Sequence, residues 1–274
     1  MTTVRPQISE RPRITAIADL HLDLWEQDGK DPLRQLHPDL WTSDIIVLAG
    51  DISNHGAKKW RRLIPRVLEH VDPAKVYVLP GNHDYYGHHL DREDKLQAAC
   101  DELGCHFAQQ KEVRIDNRAR VLMCTLWTNF ELGGGHLGIN MHTARSRMND
   151  YRAIRLSCDG YRRIQTADLR ALHKRHLRWL ESKLEDGFDG DTTIVTHHAP
   201  HPNAIPHPDS DLAGAYASDL SWLMDRHRPR RWLYGHTHTS AAFKISGCEV
   251  SNVSVGYPGE RDLANDPLQL VFEL

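Results

Sequence analysis

Five short apolar runs of this 274-residue chain each end in residues whose side chains can bind metals or move protons. The runs are residues 14–18, 45–49, 76–79, 192–196 and 231–234. The residues that follow them are, in chain order, Asp19-Leu20-His21, Gly50-Asp51, Gly81-Asn82-His83-Asp84, His197-His198 and Gly235-His236-Thr237-His238. Carboxylate, imidazole and carboxamide groups are ligands of mid-sized divalent metals. The sequence therefore indicates a metal site at the ends of several strands.

The spacing within these motifs indicates that the ligands share one site. Residues i and i+2 of an extended segment point to the same side. Asp19 with His21, and His236 with His238, can therefore each direct two ligands into one place.

The ordered series D-x-H, G-D, G-N-H-D, H and G-H-x-H resembles the calcineurin-like metallophosphoesterase superfamily, in particular its bacterial-type binuclear members. The matches run from Asp19 to His238. The resemblance implies an α/β fold, namely an αββα four-layer sandwich of two mixed β-sheets flanked by helices. It also implies two metals at the strand ends.

The resemblance further assigns roles to the matching residues. It implies that Asp19, His21 and His238 hold the first metal, that Asp51 bridges, and that the second metal is held by Asn82, His197 and His236. His83 corresponds to a catalytic histidine that faces the substrate without binding metal, and Asp84 to the residue that orients it.

The implied chemistry is hydrolysis of phosphate esters by a metal-dependent enzyme. Two metals lower the pKa of bound water, so that a hydroxide held between them can attack phosphorus. His83, as an imidazolium, can protonate the leaving oxygen. Phosphodiesters are slightly favoured over monoesters, because an alkoxide leaving group gains most from an acid. The ligand types suit manganese, iron or zinc and do not choose among them.

Several alternatives stay open at the level of sequence. A phosphomonoesterase or nucleotide pyrophosphatase could use the same site. A non-catalytic protein-binding scaffold with the same fold is disfavoured by the complete ligand set, and metal buffering is suggested only by the 19 histidines. The Ser/Thr protein phosphatase branch is also disfavoured. That branch has the motif G-D-x-V-D-R-G, whereas residues 50–56 of this chain are GDISNHG. It also has G-N-H-E, whereas this chain has Asp84 in the last position of that motif.

The elements that must position these residues alternate along the chain. The apolar runs predict buried strands, whose carboxyl ends form the usual ligand edge of an open α/β sheet. The remaining pattern predicts helices over 58–70, 88–103, 166–184 and 218–227, the last capped by Ser218, and later strands over 113–115, 121–125, 241–245, 249–253 and 268–272.

One domain is expected over residues 1–274, with two segments beside the site. Residues 129–165, rich in glycine and arginine, are interpreted as an irregular insertion over the active site, and His197–Pro208 as a second wall. The weaker candidates for substrate contact are Asn54, His198, Arg145 and Arg147.

The composition of the chain restricts its expected binding partners and cellular location. A net charge of −3 disfavours a dedicated binder of long nucleic acid. No apolar run approaches the roughly 20 residues of a membrane-spanning helix. The five cysteines are odd in number and lack C-x-x-C spacing, which indicates reduced thiols. The sequence predicts a soluble, cytoplasmic enzyme that acts on a small phosphate ester and has no membrane partner; it leaves the oligomeric state open.

Overall fold

The structure is a computed structural model that describes residues 11–115, 117–263, 265 and 268–274. Its strands form two mixed sheets with helices packed against them. One apolar core contains residues of both sheets, among them Val47, Val121 and Leu233. The expected α/β sandwich of two mixed sheets is confirmed.

The first sheet has five strands in the order β11-β1-β2-β3-β4. They are β1 (Arg13–Ile17), β2 (Ile45–Ala49), β3 (Val76–Leu79), β4 (His106–Phe107) and β11 (Val271–Glu273). Strands β1 to β4 run parallel, and β11 pairs antiparallel with β1. Strand β2 is buried along its whole length, which explains why its sequence is a continuous apolar run rather than an alternating one.

The second sheet has six strands in the order β5-β6-β7-β8-β10-β9. They are β5 (Lys111–Ile115), β6 (Ala119–Cys124), β7 (Asp191–Thr196), β8 (Arg231–Tyr234), β9 (Ala242–Ile245) and β10 (Cys248–Asn252). The four central strands are parallel, and β5 and β9 pair antiparallel at the edges. The loops after β7 and β8 therefore leave the same edge of the sheet.

Eight α-helices surround the sheets within the described residues. They are α1 (Leu22–Gln27), α2 (Gly56–Leu68), α3 (Glu93–Leu103), α4 (Leu137–Arg147), α5 (Asp150–Ala153), α6 (Thr166–Glu185), α7 (Ala213–Tyr216) and α8 (Ser221–His227). Each predicted helix has a counterpart, although α3 starts five residues later than predicted. Ser218 does not cap α8: its Oγ accepts a hydrogen bond from the Asn129 N–H, at 3.1 Å.

The segment 129–165 is more regular than predicted, because it contains α4 and α5. The sequence did not predict α4 because its hydrophobic residues are spread around the helix instead of forming one stripe. Residues at its carboxyl end line the candidate site described below. The single-domain organisation stays a prediction.

The five cysteines are all unpaired, in agreement with the predicted free thiols. Among the described residues, no helix has both the length and the apolar character needed to span a bilayer. The cytoplasmic location stays a prediction.

Candidate metal centre

The motif residues lie on the loops that follow β1, β2, β3, β7 and β8. Five of them have a positive φ: Asp19 at 57°, His21 at 38°, Asp51 at 56°, His236 at 66° and His238 at 50°. Residues other than glycine seldom adopt this left-handed conformation, and where they do so together they tend to mark functional sites. The backbone is bent at these positions, and the bends bring the side chains together.

The first cluster comprises Asp19, His21 and His238. Nε2 of His238 lies 3.2 Å from Oδ1 of Asp19 and 3.3 Å from Nε2 of His21. Asp19 and His21 thus meet the second histidine of the G-H-T-H motif, as predicted, but through a left-handed backbone at both residues and not through the extended backbone on which the i, i+2 argument rests.

The second cluster contains Asn82, His197 and His236. Nε2 of His197 lies 3.0 Å from Oδ1 of Asn82, and ligand atoms of His197, His236 and Asp51 lie within 4.8 Å of one another. These residues come from the loops after strands of both sheets, so the site bridges the two sheets at one edge.

Asp51 lies between the two clusters. Its Oδ1 is 3.4 Å from Nε2 of His197, and its Oδ2 is 3.9 Å from Nε2 of His21. One carboxylate therefore presents an oxygen to each cluster, which is the arrangement that a bridging ligand requires.

Glycines leave room for these ligands. A Cβ atom at Gly81 would lie 2.2 Å from Oδ1 of Asp51, and one at Gly50 would lie 2.4 Å from Nδ1 of His197. Neither distance is sterically possible. The glycines of the G-D and G-N-H-D motifs thus allow the backbone to pass directly behind the ligands.

The donor atoms fit a cation. Among the described residues, Nε2 of His236 is buried and finds no hydrogen-bond partner, a costly state for a polar atom. Oδ1 of Asp19 is buried with no well-aligned hydrogen bond, and its contact with Nε2 of His238 is an ion pair at 3.2 Å. Burial and the neighbouring charge of Asp19 raise the pKa of Asp51 well above its ordinary value. Although burial opposes it, the charges of Asp19 and Glu260 raise the pKa of His238 to about 10. A divalent cation can replace the protons that such buried carboxylates and imidazoles share.

Hydrogen bonds to residues outside the ligand set orient the ligand side chains. Nδ1 of His238 lies 2.7 Å from Oε2 of Glu260, and Nδ1 of His197 lies 3.0 Å from the carbonyl oxygen of Ala49. Since these partners accept hydrogen bonds, both histidines carry a proton on Nδ1 and direct Nε2 into the site.

His83 lies beside the clusters, with its own set of partners. Nδ1 is 3.0 Å from Oδ1 of Asn54, and Nε2 is 3.2 Å from the hydroxyl of Tyr257. The ring stacks on Tyr86 with centroids 4.3 Å apart. Nε2 is also 4.0 Å from Oδ2 of Asp51, so His83 faces the pocket next to the shared carboxylate.

Asp84 has a different position from the one that the resemblance implies. Its carboxylate accepts hydrogen bonds from Nε1 of Trp60 and from backbone N–H groups, those of Asp51, Ile52, Ser53 and Gly81. The expectation that Asp84 orients the His83 ring is corrected: Asn54 contacts the ring, and Asp84 fixes the loop that carries Asp51. The aspartate at the end of the motif follows the ring in sequence, but its side chain turns inward to buried amides.

The weaker candidates for substrate contact separate in the structure. Arg147 lines the pocket, and Asn54 contacts His83. His198 is buried behind the site, where Nδ1 lies 3.3 Å from the carbonyl oxygen of Thr125. Arg145 is exposed and is not among the residues that line the pocket.

The pocket in front of the clusters has a volume of about 330 Å³. The residues that line it are Asp51, Asn82, His83, Tyr86, Arg147, Met148, Asn149, Tyr216, His236, Thr237, His238, Tyr257 and Glu260. Sequence reasoning missed Tyr86, Tyr216, Tyr257 and Glu260. Each is a single polar residue outside any spaced motif, so no pattern indicates it.

The chain is similar to known proteins in sequence and in fold. Residues 12–240 match the family model described as calcineurin-like phosphoesterase. A protein of Acanthamoeba polyphaga mimivirus is 26% identical over 273 residues, covering 91% of this chain and 92% of the relative. The crystal structure of a phosphopantetheinyl hydrolase from Mycobacterium tuberculosis is similar, with a TM-score of 0.72, 20% identity and 97% of each chain covered. A dimetal phosphatase from Danio rerio is also similar, with a TM-score of 0.50, 14% identity and coverage of 89% of this chain and 87% of that one. The chain belongs to the calcineurin-like phosphoesterase family of metal-dependent phosphoric ester hydrolases.

Proposed function

We propose that this chain hydrolyses phosphodiesters in preference to monoesters, at a centre that holds two divalent metal ions. The observation that carries the two-metal centre is the position of Asp51, whose two oxygens face separate ligand clusters. In this proposal Asp19, His21 and His238 hold one metal, Asn82, His197 and His236 hold the other, and Asp51 is shared.

The metals would supply, when bound, Lewis acidity at the phosphoryl oxygens and a water of lowered pKa. The protein itself performs the remaining steps. It holds the ester in the pocket, neutralises part of its charge and provides a proton for the departing alcohol. Manganese, iron and zinc all suit the carboxylate, imidazole and carboxamide donors.

The charge of the pocket supports the preference for diesters. Arg147 is the only Lys or Arg among its described lining residues, and Glu260 is an acid outside the proposed set of metal ligands. A phosphomonoester is largely a dianion at neutral pH, since the second pKa of a phosphate monoester is about 6. A diester carries a single negative charge and demands less positive charge from the walls.

His83 is the proposed proton donor. Its Nδ1–H is held by Oδ1 of Asn54, so Nε2 faces the pocket. Burial and the charge of His197 lower the pKa of His83 to about 4 in the unliganded protein, and an anionic ester beside the ring would raise it. Once protonated, Nε2 can donate to the alkoxide oxygen as the ester bond breaks.

The experiment that tests the proposed function combines metal analysis with turnover. The purified protein, loaded with manganese, iron or zinc, is assayed on monoesters, linear diesters, cyclic nucleotides and pyrophosphates. A phosphopantetheinyl ester is included because one of the similar structures bears that name. We expect two metals per chain and the highest kcat/KM on a diester.

Two variants and their matched controls complete the test. Asp51→Asn should lose at least one metal and nearly all turnover, whereas Asp28→Asn, at an exposed ion pair with Lys30, should lose neither. His83→Ala should keep the metals and lose roughly 10²–10⁴-fold in rate, with the exposed His142→Ala as control. Full metal content and undiminished turnover in Asp51→Asn would contradict the two-metal centre, and faster turnover of monoesters would contradict the diester preference.

A further inference from the structure

A second cavity, of about 290 Å³, adjoins the metal pocket. The two share Tyr216 and Thr237 as wall residues. The ring of Tyr216 also lies 5.2 Å from the ring of His236, one of the proposed ligands. We call this second cavity the arm pocket. The two cavities therefore meet at these two side chains.

The lining of the arm pocket differs in charge from that of the metal pocket. Ile205, Pro206, Leu212 and Ala213 provide apolar surface. The polar groups are the hydroxyls of Ser210, Thr237 and Thr239, the phenol of Tyr216 and the imidazole of His207. None of the described residues that line it is Lys, Arg, Asp or Glu. Its walls are therefore suited to a ligand group that carries no charge.

The arm pocket is held in place by neighbouring segments. The Gly134 N–H donates to the carbonyl oxygen of Asp209 at 2.8 Å, which joins the 205–212 loop to the 129–165 segment. A Cβ at Gly214 would lie 2.8 Å from the carbonyl oxygen of Leu132, so helix α7 packs closely on the same segment. These contacts form the cavity before any ligand arrives, which lowers the cost of binding.

From these observations we propose that the arm pocket binds the uncharged, largely apolar arm of a phosphate ester whose phosphoryl group lies in the metal pocket. This inference rests on the proposed function, because the metal pocket must hold the phosphoryl group. Each cavity alone is at the lower end of the roughly 300–1,000 Å³ usual for ligand sites. Adjoining cavities of opposite character suit a substrate with an anionic head and a neutral arm.

The lack of Lys and Arg in the described lining of the arm pocket also disfavours substrates with a second phosphate group. A second phosphate in the arm pocket would meet apolar side chains and hydroxyls but no guanidinium or ammonium group of the described lining. Moving such a charge out of water without a partner is unfavourable. Ser210 and Thr239 can instead hydrogen-bond a neutral amide or hydroxyl along the arm.

The test measures binding of dialkylphosphinates, which carry the single negative charge of a phosphodiester and have no ester bond to hydrolyse. Dissociation constants of dimethylphosphinate, hexyl(methyl)phosphinate and 5-carboxypentyl(methyl)phosphinate are measured by calorimetry on the manganese-loaded protein. Burial of the extra methylenes should make the hexyl compound bind at least about tenfold more tightly than dimethylphosphinate. The terminal carboxylate should remove most of that gain.

Variants test whether the arm pocket causes the tighter binding of the hexyl compound. The quantity compared is the ratio of the dissociation constants of the dimethyl and hexyl compounds within each protein. Leu212→Lys should bring this ratio close to one and should favour the carboxypentyl compound. Ile205→Asp is a second variant in case Leu212→Lys does not fold, and it should also reduce the ratio. Ile139→Ala is the control, because Ile139 is 44% exposed and lines neither cavity; its ratio should equal that of the wild type.

The outcomes separate this inference from the proposed function. If dimethylphosphinate binds and the wild-type ratio is near one, or if both variants keep the wild-type ratio, the arm pocket is not a substrate site and the metal centre still stands. If none of the phosphinates binds to the metal-loaded protein, the proposed function and this inference are overturned together.

Discussion

Oδ1 of Asn54 lies 3.0 Å from Nδ1 of His83 and fixes which nitrogen of that ring faces the pocket. The amide of Asn54 is itself oriented, because its Nδ2 donates to Oδ2 of Asp23 at 3.1 Å. Asp23 is buried and also accepts a hydrogen bond from Nζ of Lys59 at 2.7 Å. The position of the proposed acid thus depends on a chain of contacts that begins outside the pocket.

We predict that Asn54→Ala makes turnover depend more strongly on the leaving group. Without the amide oxygen the His83 ring loses its fixed orientation, which matters most when the departing alcohol needs a proton. Phenyl esters should slow by about 10–100-fold, and p-nitrophenyl esters much less. The comparison is of kcat on the two esters, with the exposed Asn203→Ala as control. Equal slowing of both esters would argue against proton donation by His83.

The outer contact of Asn82 leads to a second prediction. Its Nδ2 donates to Oδ1 of the buried Asp150 at 2.9 Å, and the Tyr86 hydroxyl donates to the same oxygen at 2.7 Å. Asp150→Ala frees the amide to rotate away from His197, so affinity for the second metal should fall by roughly 10–100-fold. Asp150→Asn keeps an acceptor oxygen and should lose much less. Competition with a chelator measures both constants, and similar losses in the two variants would show that orientation of Asn82 is not the cause.

The close passage of the backbone behind Asp51 leads to a third prediction. The Cβ of Gly81→Ala would lie 2.6 Å from the Asp51 backbone nitrogen as well as against its carboxylate, so the loop must shift. Overpacking of this kind costs about 1–3 kcal/mol, and the shift should also reduce the metal content. Gly187→Ala is the control, since nothing lies within 4 Å of the new methyl group there. Thermal unfolding and elemental analysis of both variants check the prediction, which fails if Gly81→Ala binds two metals with unchanged Tm.

Much of the fold and of the candidate site could be predicted from the sequence. Strands such as Ile45–Ala49 are buried on both faces, so their apolar runs stand out, and each ends where a motif begins. The ordered series of motifs resembles that of the metallophosphoesterase superfamily, and this resemblance is why residues as far apart as His21 and His238 could be predicted to meet. The structure brings all seven predicted ligands to one edge.

The remainder could not be predicted because it depends on single side chains. Glu260 is an isolated acid on a late loop, yet it contacts His238. Asp150 contacts Asn82 across 68 positions of the chain, and no spacing links them. The position of Asp84 in the motif does not reveal that its carboxylate turns toward backbone amides. Outer contacts of this kind follow from tertiary packing alone.

The last prediction concerns His176, which is fully buried on α6 and has no hydrogen-bond partner at either ring nitrogen within the described part of the chain. Burial lowers its pKa to about 3, from an ordinary value of 6.5. As the pH falls from 6.5 toward 3, the unfolded chain takes up a proton at this residue while the folded chain does not. Stability from the neutral ring is therefore present above pH 6.5 and is lost on acidification, by about 1.4 kcal/mol per pH unit. Denaturant unfolding of the metal-free protein at pH 7.5, 5.5 and 4.5 should show the wild type losing free energy of unfolding faster than His176→Leu. Parallel pH dependences of the two proteins would mean that His176 titrates normally and is not held neutral by burial.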